Sequence, residues 1–207
     1  GDWDAYGRTS FGQRYSPLSQ ITPENVSNLK VAWTYHTGDI RGPNDPGETT
    51  YEDTPLKIGN TVYVCTPHDL VIALDAETGA QKWRYDPQIK EPAKNDTQHL
   101  TCRGVSYSPD LALAATAGAS ADCVGRVFLP TVDARLIALS AKTGAVCPGF
   151  GGDNGTVNLW TNMPNVLSGS YYSTSPPVVT PTLIIVGGAV NYNVSTTEPS
   201  GVIRAFD

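Results

Sequence analysis

Charge is scarce in this 207-residue chain. Only 16% of its residues are Asp, Glu, Lys or Arg, and the balance is −6. Lys and Arg form no cluster. That argues against nucleic acid as a partner, because a phosphate backbone demands a concentrated basic patch. Long apolar runs are missing as well. Stretches such as residues 183–186 fall far short of the roughly 18 consecutive apolar residues of a membrane-spanning helix. Three histidines and no C-x-x-C pair leave little from which to build a structural zinc site. No signal-peptide pattern follows Gly1, so any export signal or anchor is expected outside these residues.

What is abundant points one way. Gly 20 and Pro 16, with many Thr and Val, favour short strands and turns over long helices. Hydrophobic residues make up 40%, enough to bury a core. The cysteines, Cys65, Cys102, Cys123 and Cys147, allow two disulfides in three connectivities, or buried thiols.

One segment, "ALDAETGAQKW", has the form A-x-D-x-x-T-G-x-x-x-W, with Ala73, Asp75, Thr78, Gly79 and Trp83 in its fixed places. A second copy, "ALSAKTGAVCP", keeps Ala138, Thr143 and Gly144, but Ser140 replaces Asp and Pro148 replaces Trp. A third begins at "RAFD" with Ala205 and Asp207. The copies are 65 and 67 residues apart, a period that implies stacked or radial units. Each unit reads as short strands: "TPLKI", "TVYVCT", "LVIALD" and "QKWRYD" in the first, "RVFLPTV" and "RLIALSA" in the second, "SPPVV", "TLIIVGG" and "GVIRAFD" in the third. Four antiparallel strands at this period describe a β-propeller blade, so the expected fold is all-β. Asp75 should cap turn amides, and Trp83 should pack between blades. A β-sandwich with coincidental turns is the alternative, but it gives no reason for the period.

The expected layout is an N-terminal segment with a closing strand over 1–50, a blade over 51–86, a blade with a long insertion over 87–148, and a truncated blade over 149–207. In "ITPENVSNL", Thr22 and Pro23 suggest an N-capped helical turn. "KVAWTYHTG" reads as a strand with Trp33 inward. Residues 87–103 and 149–172 read as long loops, where function concentrates.

The repeat resembles the tryptophan-docking motif of the quinoprotein alcohol dehydrogenases. Together with "GDWDAYGRTSFGQRYSPLSQIT", "TGDIRGPNDPGE" and "TCRGVSY", the chain looks most like their membrane-bound branch, the glucose, quinate/shikimate and polyol dehydrogenases. The resemblance implies about three blades of an eight-bladed propeller and a parent that binds pyrroloquinoline quinone (PQQ) with Ca2+ or Mg2+. It implies oxidation of a sugar or polyol, with glucose the first candidate and quinate or shikimate the alternative. Electrons would pass to ubiquinone on the periplasmic side of the bacterial inner membrane, from a parent anchored upstream. A non-catalytic scaffold of the outer-membrane assembly type shares the repeat, but has no reason to keep the cofactor positions together.

Those positions follow from the resemblance. Glu52 in "YEDTP" matches a cofactor-contacting glutamate, and Thr174 in "STSPP" a threonine bonded to a PQQ carboxylate. Arg103 in "TCRGV" matches the arginine that pairs with a carboxylate, a task that suits the guanidinium fork. Gly187, Gly188 and Ala189 match a tight turn near the cofactor, where glycine permits close backbone approach. Val190 stands where soluble relatives carry an acidic metal ligand, which leaves Asn191 or Asn193 as candidate metal ligands. The vicinal Cys-Cys of soluble relatives is absent from "TQHLTCR"; His99 is a candidate near the ring and substrate. A bridge from Cys102 would fix the cofactor loop. Asp4 occupies a position where glucose enzymes carry a substrate-side histidine. No residue here matches the catalytic base, which the resemblance places beyond Asp207, so the chain alone is expected to be inert. Its open blade edges invite self-association.

Overall fold

The computed structural model describes residues 1–9, 11–89, 96–109, 121–151, 154–191 and 195–207. After a short strand β1 (Glu48–Thr49), the first sheet is formed by β2 (Leu56–Ile58), β3 (Thr61–Cys65), β4 (Val71–Asp75) and β5 (Gln81–Tyr85). A lone β6 (His99–Leu100) precedes the second sheet: β7 (Ser106–Ser108), β8 (Arg126–Pro130), β9 (Arg135–Ser140) and β10 (Thr156–Asn158). The remaining strands are β11 (Tyr171–Tyr172), β12 (Val178–Val179), β13 (Ile184–Val186), β14 (Ala189–Val190) and β15 (Arg204–Phe206). Of these, β12, β13 and β15 make a third sheet. All pairs within the three sheets are antiparallel and follow chain order. The sheets are blades.

The central strands of the first two blades are buried on both faces, which explains apolar runs where a half-exposed strand would alternate. In the first blade Val71 and Ala73 of β4 face a core shared with Val127, Leu129, Ile137 and Leu139 of the second. Ile72 and Leu74 turn the other way, toward Trp33 and Tyr35. In the second blade Phe128, Leu136 and Ala138 face Leu159, Tyr171 and Ile184. The period-two alternation therefore survives in direction rather than in polarity.

The repeat closes each blade against the next. Asp75 accepts from the backbone N–H groups of Glu77 (3.1 Å) and Thr78 (3.0 Å), as expected of a turn cap. Ser140 does the same work in the second copy, taking the Thr143 N–H at 3.2 Å. The indole of Trp83 lies over Gly144 of the next blade, and its Nε1–H donates to the Ala141 carbonyl (3.1 Å). Trp33 repeats that pose on Gly79, donating to Ala76 (3.2 Å). The positive φ at both glycines (+71° and +73°) is needed for the turn, and the missing Cβ admits the ring.

Three expectations need adjustment. Residues 29–40 form no strand among the described residues, although Trp33 is docked as a fourth-strand tryptophan would be. The turn in "ITPENVSNL" is a 3-10 turn at Val26–Asn28 without a side-chain cap. Asn25 Oδ1 accepts from the Thr22 N–H (2.8 Å), so the amide rather than the hydroxyl organises the turn. The second blade takes its fourth strand, β10, from beyond the boundary expected at residue 148.

Both disulfides form: Cys65–Cys102 and Cys123–Cys147. The first ties the end of β3 to the segment entering the second blade. The loop before β1 is clasped by His68, whose Nδ1 meets Asp39 and whose Nε2 lies 3.0 Å from Asp45.

Candidate cofactor site

Glu52, Arg103 and Thr174 occupy equivalent places, a few residues before the first strands β2, β7 and β12 of successive blades. They are distant in sequence, yet the stacking of blades brings them into one line. Arg103 Nε meets Glu52 Oε2 at 2.8 Å, and its Nη1 donates to the Thr174 hydroxyl. The backbones are joined as well: Arg103 N–H to Thr174 O (2.8 Å) and Thr54 N–H to Arg103 O (3.2 Å). Thr174 is buried, while the side chains of Arg103 and Glu52 are 38% and 40% exposed. The set is thus anchored from below and open above.

Local supports fix each member. The Thr50 hydroxyl donates to Glu52 Oε1 (2.8 Å) and is the first cause holding the Glu52 carboxyl below its ordinary value, with the charges of Arg103 and His99 adding to it. The Cys65–Cys102 bridge pins the residue before Arg103. Beside Glu52, burial pushes the Asp53 carboxyl up to about 7. Its Oδ1 lies 3.4 Å from the Cys65 sulfur. A disulfide sulfur has no proton to give, so this contact is a hydrogen bond when the carboxyl keeps its own.

The other sequence candidates divide. His99 joins the group: Nδ1 pairs with Glu48, and its backbone N–H donates to the Tyr172 hydroxyl (3.1 Å). Gly187 backs onto open space, as a turn close to a ligand would. Gly188 does not: a Cβ there would stand 2.2 Å from the Tyr171 ring, so its lack of side chain serves the protein's own packing. Ala189 pairs with Tyr172 in the β11–β14 ladder. Asn191 donates its side-chain amide to Asp96 O (3.3 Å). Asn193 lies outside the described residues. Asp4 is exposed and lines a separate cleft with Arg8, Arg14, Tyr107 and Pro177. No group of three or more His, Cys, Asp or Glu suited to a metal occurs among the described residues. Sequence reasoning passed over Glu48 and Thr50; the signal was the spacing of four in Glu48/Glu52, matched by His99/Arg103.

The donor set suits one edge of a multivalent acid. Arg103 Nη2 has no protein partner among the described residues, so the guanidinium keeps donors for a carboxylate beside the Thr174 hydroxyl. The family described as the PQQ glucose/ethanol/alcohol dehydrogenase beta-propeller domain matches residues 3–207. This chain belongs to that PQQ dehydrogenase family. The quinoprotein glucose dehydrogenase of Escherichia coli (strain K12) is 51% identical over 206 residues, covering 100% of the chain and 26% of that protein. The quinate/shikimate dehydrogenase (quinone) of Acinetobacter baylyi is 40% identical over 218 residues, again covering 100% of the chain and 26% of the relative. Among solved structures, the quinohemoprotein alcohol dehydrogenase from Comamonas testosteroni superposes with a TM-score of 0.68 at 28% identity, over 91% of this chain and 23% of that one. The chain therefore spans about a quarter of the length of the curated relatives it matches.

Proposed function

We propose that this chain supplies the part of a PQQ-dependent dehydrogenase that grips the acid edge of the cofactor, in an enzyme that oxidises an alcohol group of a sugar or polyol. Glucose is the first candidate, supported by the identity to glucose dehydrogenases. The observation that carries the reading is the convergence of Glu52, Arg103 and Thr174 from three blades.

In this role Arg103 offers its remaining N–H groups to a carboxylate, with Thr174 as a second donor. Glu52 keeps the guanidinium from swinging away, and Thr50 keeps Glu52 ionised and oriented. A quinone held there by Arg103, Thr174 and Glu52 would supply two-electron oxidation chemistry. Gly187 leaves room for a planar ring. Calcium or magnesium would complete the site, with Asn191 as the candidate this chain offers through its amide oxygen. The proton-accepting base is not assigned to any residue here. Ubiquinone as electron acceptor and a periplasmic location complete the proposal. No described helix is long and apolar enough to cross a membrane.

The test is substrate-dependent dye reduction by the holoenzyme carrying this chain, loaded with PQQ and calcium. Glucose should reduce the dye faster than glycerol or quinate. A preference for quinate moves the assignment to the alternative substrate class, and no PQQ-dependent reduction with any alcohol refutes the reading.

A further inference from the structure

The turn between β3 and β4 is tied to the cofactor site by three routes. His68 stands in it, and both of its ring nitrogens meet carboxylates: Nδ1 on Asp39 Oδ1, and Nε2 on Asp45 Oδ2 at 3.0 Å. The His68 backbone N–H adds a bond to Asp39 Oδ2 (3.0 Å). Asp39 and Asp45 bracket the loop that runs into β1 and on to Glu52, and Pro46 O near its end accepts from the Thr49 hydroxyl (2.8 Å). Asp69, the next residue in the turn, takes the Val132 N–H on its carboxyl (2.7 Å), and Val132 packs with Leu100 and Tyr172 in a buried cluster. Cys65, at the head of the turn, is bridged to Cys102, the neighbour of Arg103.

A neutral imidazole has one N–H and one lone pair, so it satisfies one carboxylate and turns a lone pair on the other. Carboxylates on both nitrogens of His68 therefore call for the imidazolium. The side chains of Asp39 and Asp45 are 6% and 1% exposed and that of His68 20%, so solvent screens the three charges little. The bond to Asp39, working against partial burial and helped by Asp45, holds the imidazolium above its ordinary value. Burial opposes the Asp39 charge, but the bonds from His68 and Thr66 keep that carboxyl below its ordinary value. Asp69 also senses His68: burial raises its carboxyl, Asp133 adds to the rise, and the Val132 N–H, Arg135 and His68 pull against it. Other support for the loop is thin. Residues 29–40 form no strand among the described residues, and β1 pairs over two residues, a ladder too short to hold by itself.

We propose that His68 is a positioning residue of the cofactor site: as an imidazolium it clasps Asp39 and Asp45, so that the loop carries Glu52 to Arg103, and loss of its proton loosens the grip on PQQ. The inference rests on the PQQ reading above. His68 acts on the cofactor through the loop and Glu52 rather than by contact. Its proton is held at and below the ordinary histidine value of 6.5 and leaves as pH climbs through the raised folded value. PQQ affinity therefore declines toward alkaline pH. Asp53, whose carboxyl is raised to about 7, titrates nearby in pH, so the share of His68 is read as the difference between variants at each pH.

The experiment is a PQQ titration by fluorescence quenching, in steps from about pH 6 to about pH 10, of the full enzyme carrying this chain in its wild-type, His68→Gln and Asp39→Asn forms. His68→Gln cannot carry the charge. It should bind PQQ about fivefold more weakly than wild type at the acid end, one hydrogen bond's worth, and converge with it at the alkaline end. Asp39→Asn suits the neutral ring: its amide oxygen keeps the His68 backbone N–H, its NH2 donates to Nδ1, and Nε2–H stays on Asp45. It should lose the alkaline decline and bind PQQ more tightly than wild type there. Trypsin gives a readout without cofactor, because Arg41 is exposed within the loop. At about pH 7, cleavage after Arg41 should be several-fold faster in His68→Gln than in wild type. Equal PQQ affinity of wild type and His68→Gln across the range, or faster cleavage with no loss of affinity, overturns the proposal while leaving the PQQ reading intact. Should His68→Gln fail to fold, parallel pH profiles for wild type and Asp39→Asn overturn it equally. Failure of the wild type to bind PQQ at any pH overturns both readings.

Discussion

Gly144→Ala isolates the docking of Trp83. A Cβ at position 144 would lie 2.6 Å from Trp83 Cε3 and 2.8 Å from Cδ2, at a φ of +73°. The left-handed backbone alone costs a side chain about 1 kcal/mol. The indole must also shift, straining the Nε1–H bond to Ala141 O and opening the packing with Tyr63, whose ring centroid is 5.8 Å away. Forcing a group into a filled interface adds about 2 kcal/mol, for a total of about 3 kcal/mol. Gly59→Ala is the internal control: φ is +55°, but nothing lies within 4 Å of the added carbon. It should cost only the backbone share, about 1 kcal/mol. Urea unfolding followed by tryptophan fluorescence measures both. Equal losses for the two variants would refute the claim that Gly144 is kept for the ring.

Reducing or replacing Cys65–Cys102 should cost about 4 kcal/mol on a chain-entropy reckoning for a loop with a sequence separation of 37, and should weaken PQQ binding by releasing the residue before Arg103. Non-reducing peptide mapping that found another pairing would defeat that prediction. Asp53 makes stability depend on pH. Its folded value is raised by burial to about 7 from 3.8, so its contribution is complete below pH 3.8 and is lost as pH rises through 7. Asp53→Asn should therefore flatten the fall in Tm between about pH 4 and 7, and an unchanged slope would show that the carboxyl is not buried as described.

The blades were legible because their signal is local. The period set by Ala73, Ala138 and Ala205, the T-G turns and the apolar strand runs all lie within a few residues of one another. The unpaired segment around Trp33 was not, because a strand pattern says nothing about whether neighbours are present to bond it. Asn25 displaced Thr22 as the organiser of its turn for a similar reason: two polar side chains competed, and geometry chose. The site was half legible. Glu52, Arg103 and Thr174 stood out through their motifs, but that Arg103 joins the other two emerges only when blades stack. Glycine at 188 was read as an opening for a ligand, whereas Tyr171 fills it, since sequence cannot tell which neighbour a missing Cβ admits.

The central claim is that Arg103, steadied by Glu52 and Thr174, takes a carboxylate of PQQ. The direct measurement is a PQQ titration of the holoenzyme carrying this chain by fluorescence quenching, comparing wild type with Arg103→Lys and Arg103→Ala. A charge-assisted hydrogen bond is worth about 1.5–3 kcal/mol, so Arg103→Ala should weaken binding on the order of 10- to 100-fold. Arg103→Lys, which keeps the charge but not the fork, should fall between. Wild-type affinity in Arg103→Ala would contradict the account.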